Sequence, residues 1–199
     1  MQGTMRIGGK LRVRKMTPPI GWTLKNRLRT DFITGWLGAS AMRLLSAITG
    51  VPAMIGELRM LVFKANGEVI NLGVVSYRLV TTAFVNFVVD QLQTETSVFG
   101  DFKFHDSGVG TTDPAITDTT METTDGESRA TGTQTETAAN VYASVGTIAY
   151  TTTKAITEHG LFNDASAGTL MDRSEFAAVN VVSGDSIQFT YSFTVTAGG

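Results

Sequence analysis

Ala155-Ile-Thr-Glu-His-Gly-Leu-Phe162, Ala167-Gly-Thr-Leu-Met-Asp-Arg173 and Val182-Ser-Gly-Asp-Ser-Ile-Gln-Phe-Thr-Tyr191 follow one another in the last third of the chain. They read as an apolar strand, a small-residue turn, a second strand, an SGD turn and an alternating terminal strand. The pattern extends upstream. Leu58–Lys64 and Glu68–Val75 flank Asn66-Gly67, a pair that tolerates positive φ at both positions and so predicts a two-residue type I′ hairpin loop. Ser76–Val80 continues extended. Val98–His105 places Phe102 and Phe104 on one face and Lys103 and His105 on the other, as a half-buried strand does. Further strands are expected over 141–150, 155–162, 171–180 and 187–196. Strands of this length between Gly-rich turns predict a mainly β fold, an antiparallel, jelly-roll-like β-sandwich.

Helices are few in this reading. Thr30-Asp31 can cap a short helix whose apolar residues Ile33, Trp36, Leu37, Met42, Leu44 and Leu45 recur near helical spacing until Val51-Pro52 ends it. Over 82–93, Phe84, Val88 and Leu92 repeat every four residues behind Thr81 and Thr82, which favours a second short helix. The segment 107–139 is one-third Thr and acid-rich, with Arg129 as its single base. It predicts a long surface loop, flexible or held by neighbours. Two regions follow: a basic arm with a short helical segment (1–57) and a β-sandwich domain (58–199).

A chain of 199 residues can bury a substantial core, and 17% charged residues against a usual value of about 25% leaves a surface of Thr, Ser, Gly and Asn. Cysteine is absent, so disulfides and thiolate metal sites are excluded. The N-terminus has no apolar stretch of the kind a secretory signal carries. The apolar region around Phe32–Phe63 is interrupted by Arg43 and Glu57, which argues against a membrane span.

The formal net charge of −2 hides a split. Arg6, Lys10, Arg12, Arg14, Lys15, Lys25, Arg27 and Arg29 all lie in the first thirty residues, without an acid among them. Such a block repels itself and stays extended until it meets an opposite surface. Thr17-Pro-Pro-Ile-Gly21 adds a stiff break and a turn. The arm has no interleaved aromatics for stacking on bases, so a protein surface is favoured as its partner over nucleic acid. Removing residues 1–30 is expected to abolish attachment while sparing the sandwich.

Residues that suggest chemistry do not assemble into a motif. His105 and His159 are the only histidines, and a structural role is expected of both. Asp101, Asp106, Asp113, Asp118 and Asp125 are too irregularly spaced for a calcium loop. Ser46, Ser107 and Ser144 sit outside any nucleophile elbow, and Gly108-Val-Gly110 is not followed by the Lys-Ser/Thr of a phosphate loop. Asp172 and Arg173 would face opposite ways on a strand, so Arg173 either seeks an acid on a neighbouring strand or subunit or, by default, is an ordinary surface arginine. No catalytic residue, cofactor or metal is predicted.

Val80-Thr-Thr-Ala-Phe-Val, Phe104-His-Asp-Ser-Gly-Val-Gly-Thr-Thr112, Glu158-His-Gly-Leu-Phe162, Gly168-Thr-Leu-Met-Asp-Arg173 and Gly184-Asp185 resemble stretches of small structural proteins of tailed bacteriophages. The resemblance covers roughly residues 77–199. It implies a non-catalytic β-sandwich subunit of the virion. Joined to the charge split, it implies a capsid cement or decoration protein on the head surface, its basic arm on the major capsid protein. Such a subunit would form a homo-oligomer, a trimer being one option. A tail, baseplate or head-fibre subunit is the second expectation, and the coat protein of a small icosahedral virus the third.

Overall fold

The computed structural model describes residues 14–16, 18–78, 80–92 and 102–196. At 46% strand and 22% helix it is mainly β, as the sequence predicts. The strands form two sheets. The larger has the order β1-β3-β2-β10-β7-β6, the smaller β5-β4-β8-β9. Their ranges are β1 Arg14–Met16, β2 Ala53–Phe63, β3 Glu68–Arg78, β4 Phe104–Gly108 and β5 Ala130–Thr131. The rest are β6 Thr133–Ala138, β7 Val141–Ala149, β8 Lys154–Phe162, β9 Leu170–Val181 and β10 Ser186–Thr196. All pairings are antiparallel except the short β1–β3 pair.

The three opening motifs become β8, β9 and the start of β10. The alternation of β10 is why it can lie in the middle of the large sheet: Ile187, Phe189, Tyr191 and Phe193 all point into the core. Leu58, Met60 and Val62 of β2 join them, and Leu161, Met171 and Phe176 close over them from the small sheet. A side cluster of Met121, Phe162 and Leu170 lies apart from this core.

The Asn66-Gly67 hairpin forms, but with a longer loop than a type I′ turn. The Lys64 carbonyl accepts from Gly67 N–H at 2.9 Å, the Glu68 carbonyl from Lys64 N–H at 2.8 Å, and only Gly67 has a positive φ, 86°. This is the three-residue loop in which an αL glycine absorbs the strand twist. Asn66 instead accepts from Glu68 N–H through its side chain.

Among the described residues there are three helices: α1 Ile20–Arg27, α2 Thr30–Thr49 and α3 Thr82–Gln91. Thr81 caps α3 by accepting from Phe84 N–H at 3.1 Å, and Phe84 packs edge-on against Phe102 and Phe193. Gly50, at φ 72°, ends α2 in the left-handed conformation. At 20 residues α2 is longer than the short helix expected.

The expected division at residue 57 falls inside β2, so no boundary exists there. Nor do residues 14–16 and 18–29 form a free extended arm. Arg14–Met16 pair with β3, Gly21 lies within α1, and α1 rests on β9. Asn26 is buried, donating to the Val75 carbonyl at 3.0 Å and accepting from Ala177 N–H at 2.9 Å. Trp22 Nε1 donates to the carbonyls of Ala177 and Ala178. Removing residues 1–30 would therefore strip hydrogen bonds from β3 and β9, and would not spare the sandwich as expected.

Candidate interaction surface

Helix α2 is apolar nearly all round. It buries Ala39 and Ser46 against β2 and β3, with Gly35 and Met42 half-buried on the same side. Gly35 allows the close approach, because a Cβ there would collide with the Tyr77 carbonyl. On the opposite side Ile33, Leu37, Leu44 and Ile48 are exposed, flanked by Trp36 and Leu45. On α1 and its C-cap, Ile20, Leu24 and Leu28 form a second exposed stripe at four-residue spacing. A helix on a globular surface ordinarily turns charged residues outward. These two turn hydrophobic ones outward.

Of the eight predicted basic residues, Lys25, Arg27 and Arg29 have described side chains. Arg6, Lys10 and Arg12 lie outside the described residues, and the side chains of Arg14 and Lys15 do as well. Lys25 and Arg27 are exposed on α1. Arg29 is committed inward: it is paired with Glu175, whose side chain is only 2% exposed, and approaches Asp113 at 3.9 Å. Arg29 is thus a clamp between the α1–α2 turn and β9.

The charged residues of the sandwich are likewise committed to holding it together. Glu158, on β8, is fully buried. Its two oxygens accept from the backbone N–H groups of Gly110 (3.1 Å), Glu122 (3.2 Å) and Thr123 (2.8 Å) and from Arg173 Nε (2.7 Å). Arg173 is buried, not at the surface, and also reaches Asp118 and Glu122 at 3.0 and 3.2 Å. Burial works against its charge, but Glu158 and Asp118 outweigh that and raise its pKa above the ordinary value.

This pair fastens the Thr-rich segment onto the outer face of the small sheet. Asp106 with Arg129 (3.0 Å), Ser107 with Asp125 (2.5 Å) and Lys154 with Glu127 (2.6 Å) fasten it further. The segment also contains β5 and β6, so it is no free loop. Neighbours hold it, and they belong to the same chain.

Between the sheets lies a polar layer that alternation alone does not reveal. His105 Nδ1 lies 2.9 Å from His159 Nε2, and His105 Nε2 lies 2.9 Å from Ser144 Oγ. His159 stacks on Phe189 at 4.6 Å between centroids. Burial lowers the pKa of His105 to about 3, and burial together with His105 holds His159 well below its ordinary value. Both rings are neutral, so of the two facing nitrogens one donates and the other accepts. His105 thus faces the core, not the solvent side expected of it. Gly132 and Gly146 make its room, since a Cβ at either would overlap the ring.

Among the other residues singled out, Ser46 is buried under α2, and Asp101 lies outside the described residues. Among the described residues no three His, Asp or Glu side chains gather as a metal site would require. Among them, too, no helix is long and apolar enough to cross a membrane. No protein family, curated protein or solved structure matches this chain.

The outward stripes of α1 and α2 were the part that sequence reading missed. The spacing of Ile33, Leu37, Leu44 and Ile48 against Gly35, Ala39, Met42 and Ser46 is the signal that could have found them, since it marks two apolar faces where one suffices for packing.

Proposed function

We propose that the protein is a structural subunit of a tailed-phage particle, a cement or decoration protein that attaches to the major capsid protein on the head surface. The observation that carries this reading is the concentration of uncovered groups in the N-terminal segment. Apolar stripes on α1 and α2 and the exposed cations Lys25 and Arg27 share one stretch of chain, mounted on a sandwich whose buried charges fasten its own loops. Such a body offers a surface for assembly. Attachment would combine burial of the Ile20, Leu24 and Leu28 stripe with attraction of the basic N-terminus to an acidic seam, and the added contact area would resist the pressure of packaged DNA.

The test adds full-length protein to purified empty heads that lack it, at low and high salt. Retention on heads, weakened by salt and by Lys25→Glu/Arg27→Glu, supports the proposal. Retention on isolated tails alone would assign it to the tail or baseplate instead. Association with nucleic acid and with no particle component would point to a coat-protein role and overturn it.

A further inference from the structure

We propose that α2 is a self-association surface on which two copies of this chain pair antiparallel, about a two-fold axis passing between Ser40 and Ala41. The proposal is independent of where in a particle the protein resides. At 100° per residue, the face of α2 opposite its buried side carries Ile33, Leu37, Leu44 and Ile48. They are 40%, 52%, 63% and 73% exposed, and Trp36 (50%) and Leu45 (47%) flank them on either side. The exposed parts of these six side chains come to roughly 650 Å², most of the ~800 Å² per partner that a stable interface takes.

The order of residues along this face reads the same from both ends. Ile33 and Ile48 are equidistant from the midpoint between Ser40 and Ala41, and so are Leu37 and Leu44. Trp36 and Leu45 are equidistant too, and project to opposite sides of the stripe. A two-fold interface must be complementary to itself. Antiparallel pairing at this midpoint sets isoleucine on isoleucine and leucine on leucine along the centre of the seam, with Trp36 and Leu45 bordering it on opposite edges. Two small residues, Ser40 and Ala41, lie at the crossing, where helix axes approach most closely. Arg43 points roughly 110° away from the centre of the stripe by helical spacing, so no like charges meet across the seam. A membrane-surface helix would instead carry Lys and Arg on its polar face, whereas the other face of α2 is packed on the sheet.

The test begins with sedimentation equilibrium of the full-length protein, expected to give a dimer. Leu37→Glu or Leu44→Lys alone, both at exposed positions that spare the fold, should raise the dimer dissociation constant at least about tenfold. The double variant Leu37→Glu/Leu44→Lys should recover it, because antiparallel pairing places each introduced carboxylate opposite an introduced ammonium. A parallel pairing would set like charges together and give no recovery. Because the chain has no cysteine, Ala41→Cys supplies a single thiol at the axis and should oxidise to a linked dimer, while Val182→Cys, exposed elsewhere, should not. A monomer at every concentration, a double variant no better than the singles, or equal crosslinking at both positions would overturn the proposal. So would binding of the monomer to phospholipid vesicles through α2.

Discussion

His105 and His159 show how a residue's neighbours decide its chemistry. Exposed, either ring would titrate near pH 6.5; between the sheets both stay neutral. The consequence for stability has a definite sign. Below pH 6.5 the unfolded chain takes up protons that the folded chain refuses, so stability falls as pH falls, and continues to fall until the folded-state pKa, about 3 for His105, is reached. At pH 5 the loss is about 2 kcal/mol for each ring that stays neutral in the fold. Carboxylates held below their ordinary range, Asp185 and Glu127 among them, add to the loss only at lower pH. Asp106, whose carboxyl burial pushes up, opposes it there. Urea denaturation at pH 7.5, 6 and 5 should therefore show a steady decline. Stability that is flat from pH 7.5 to 5 would mean the pair is not buried as described.

At the scale of elements, one carboxylate on the strand beneath it gathers three backbone sites of the Thr-rich segment. Glu158 accepts four hydrogen bonds, three from the segment's backbone and one from Arg173. Glu158→Gln would present an amide N–H₂ to donors on one side and remove the charge that neutralises a guanidinium only 3% exposed. The expected cost is about 3 kcal/mol. Trypsin should then cut at Arg129 well before global unfolding, whereas the parent resists. An unchanged urea midpoint and cleavage rate would show that Asp118 and Glu122 suffice to hold Arg173.

The contrast with the strands explains what the sequence made legible. Alternation and turn glycines marked β7 to β10 to within a residue or two, because local periodicity reports which face is buried. Thr81 capped α3 for the same local reason. The fastening of 107–129 was not legible. Its determinants, Glu158 and Arg173, lie on other strands, and a charged residue in a strand is read as solvent-facing unless its partner is known. The histidine pair failed for a related reason: the strand expected over 98–105 overlaps β4 only at Phe104 and His105, Phe102 and Phe104 pack in separate clusters, and the covering segment leaves β4 buried on both faces. On α2 the apolar spacing was visible, yet spacing cannot say which of two apolar faces packs against the sheet.

The whole molecule poses one question that a charge map answers wrongly: whether the N-terminal third is an appendage or part of the fold. A basic run without acids reads as an arm because repulsion extends it. Three contacts overrule that here. Asn26 ties together β3 and β9, Trp22 donates to two β9 carbonyls, and Arg29 neutralises buried Glu175. The helices should therefore unfold with the sandwich and not before it. The chain offers a clean reporter, since its two tryptophans, Trp22 and Trp36, both lie on the N-terminal helices. Tryptophan fluorescence, excited beyond the tyrosine band, reads that segment, while the circular dichroism of the sheets reads the remainder. In urea the two transitions should superimpose within error, as a single cooperative unit requires. Asn26→Ala, which removes two buried hydrogen bonds, should shift both together by about 2 kcal/mol. Fluorescence that changes first, with the sheet signal intact, would restore the appendage reading and make the contacts of α1 incidental.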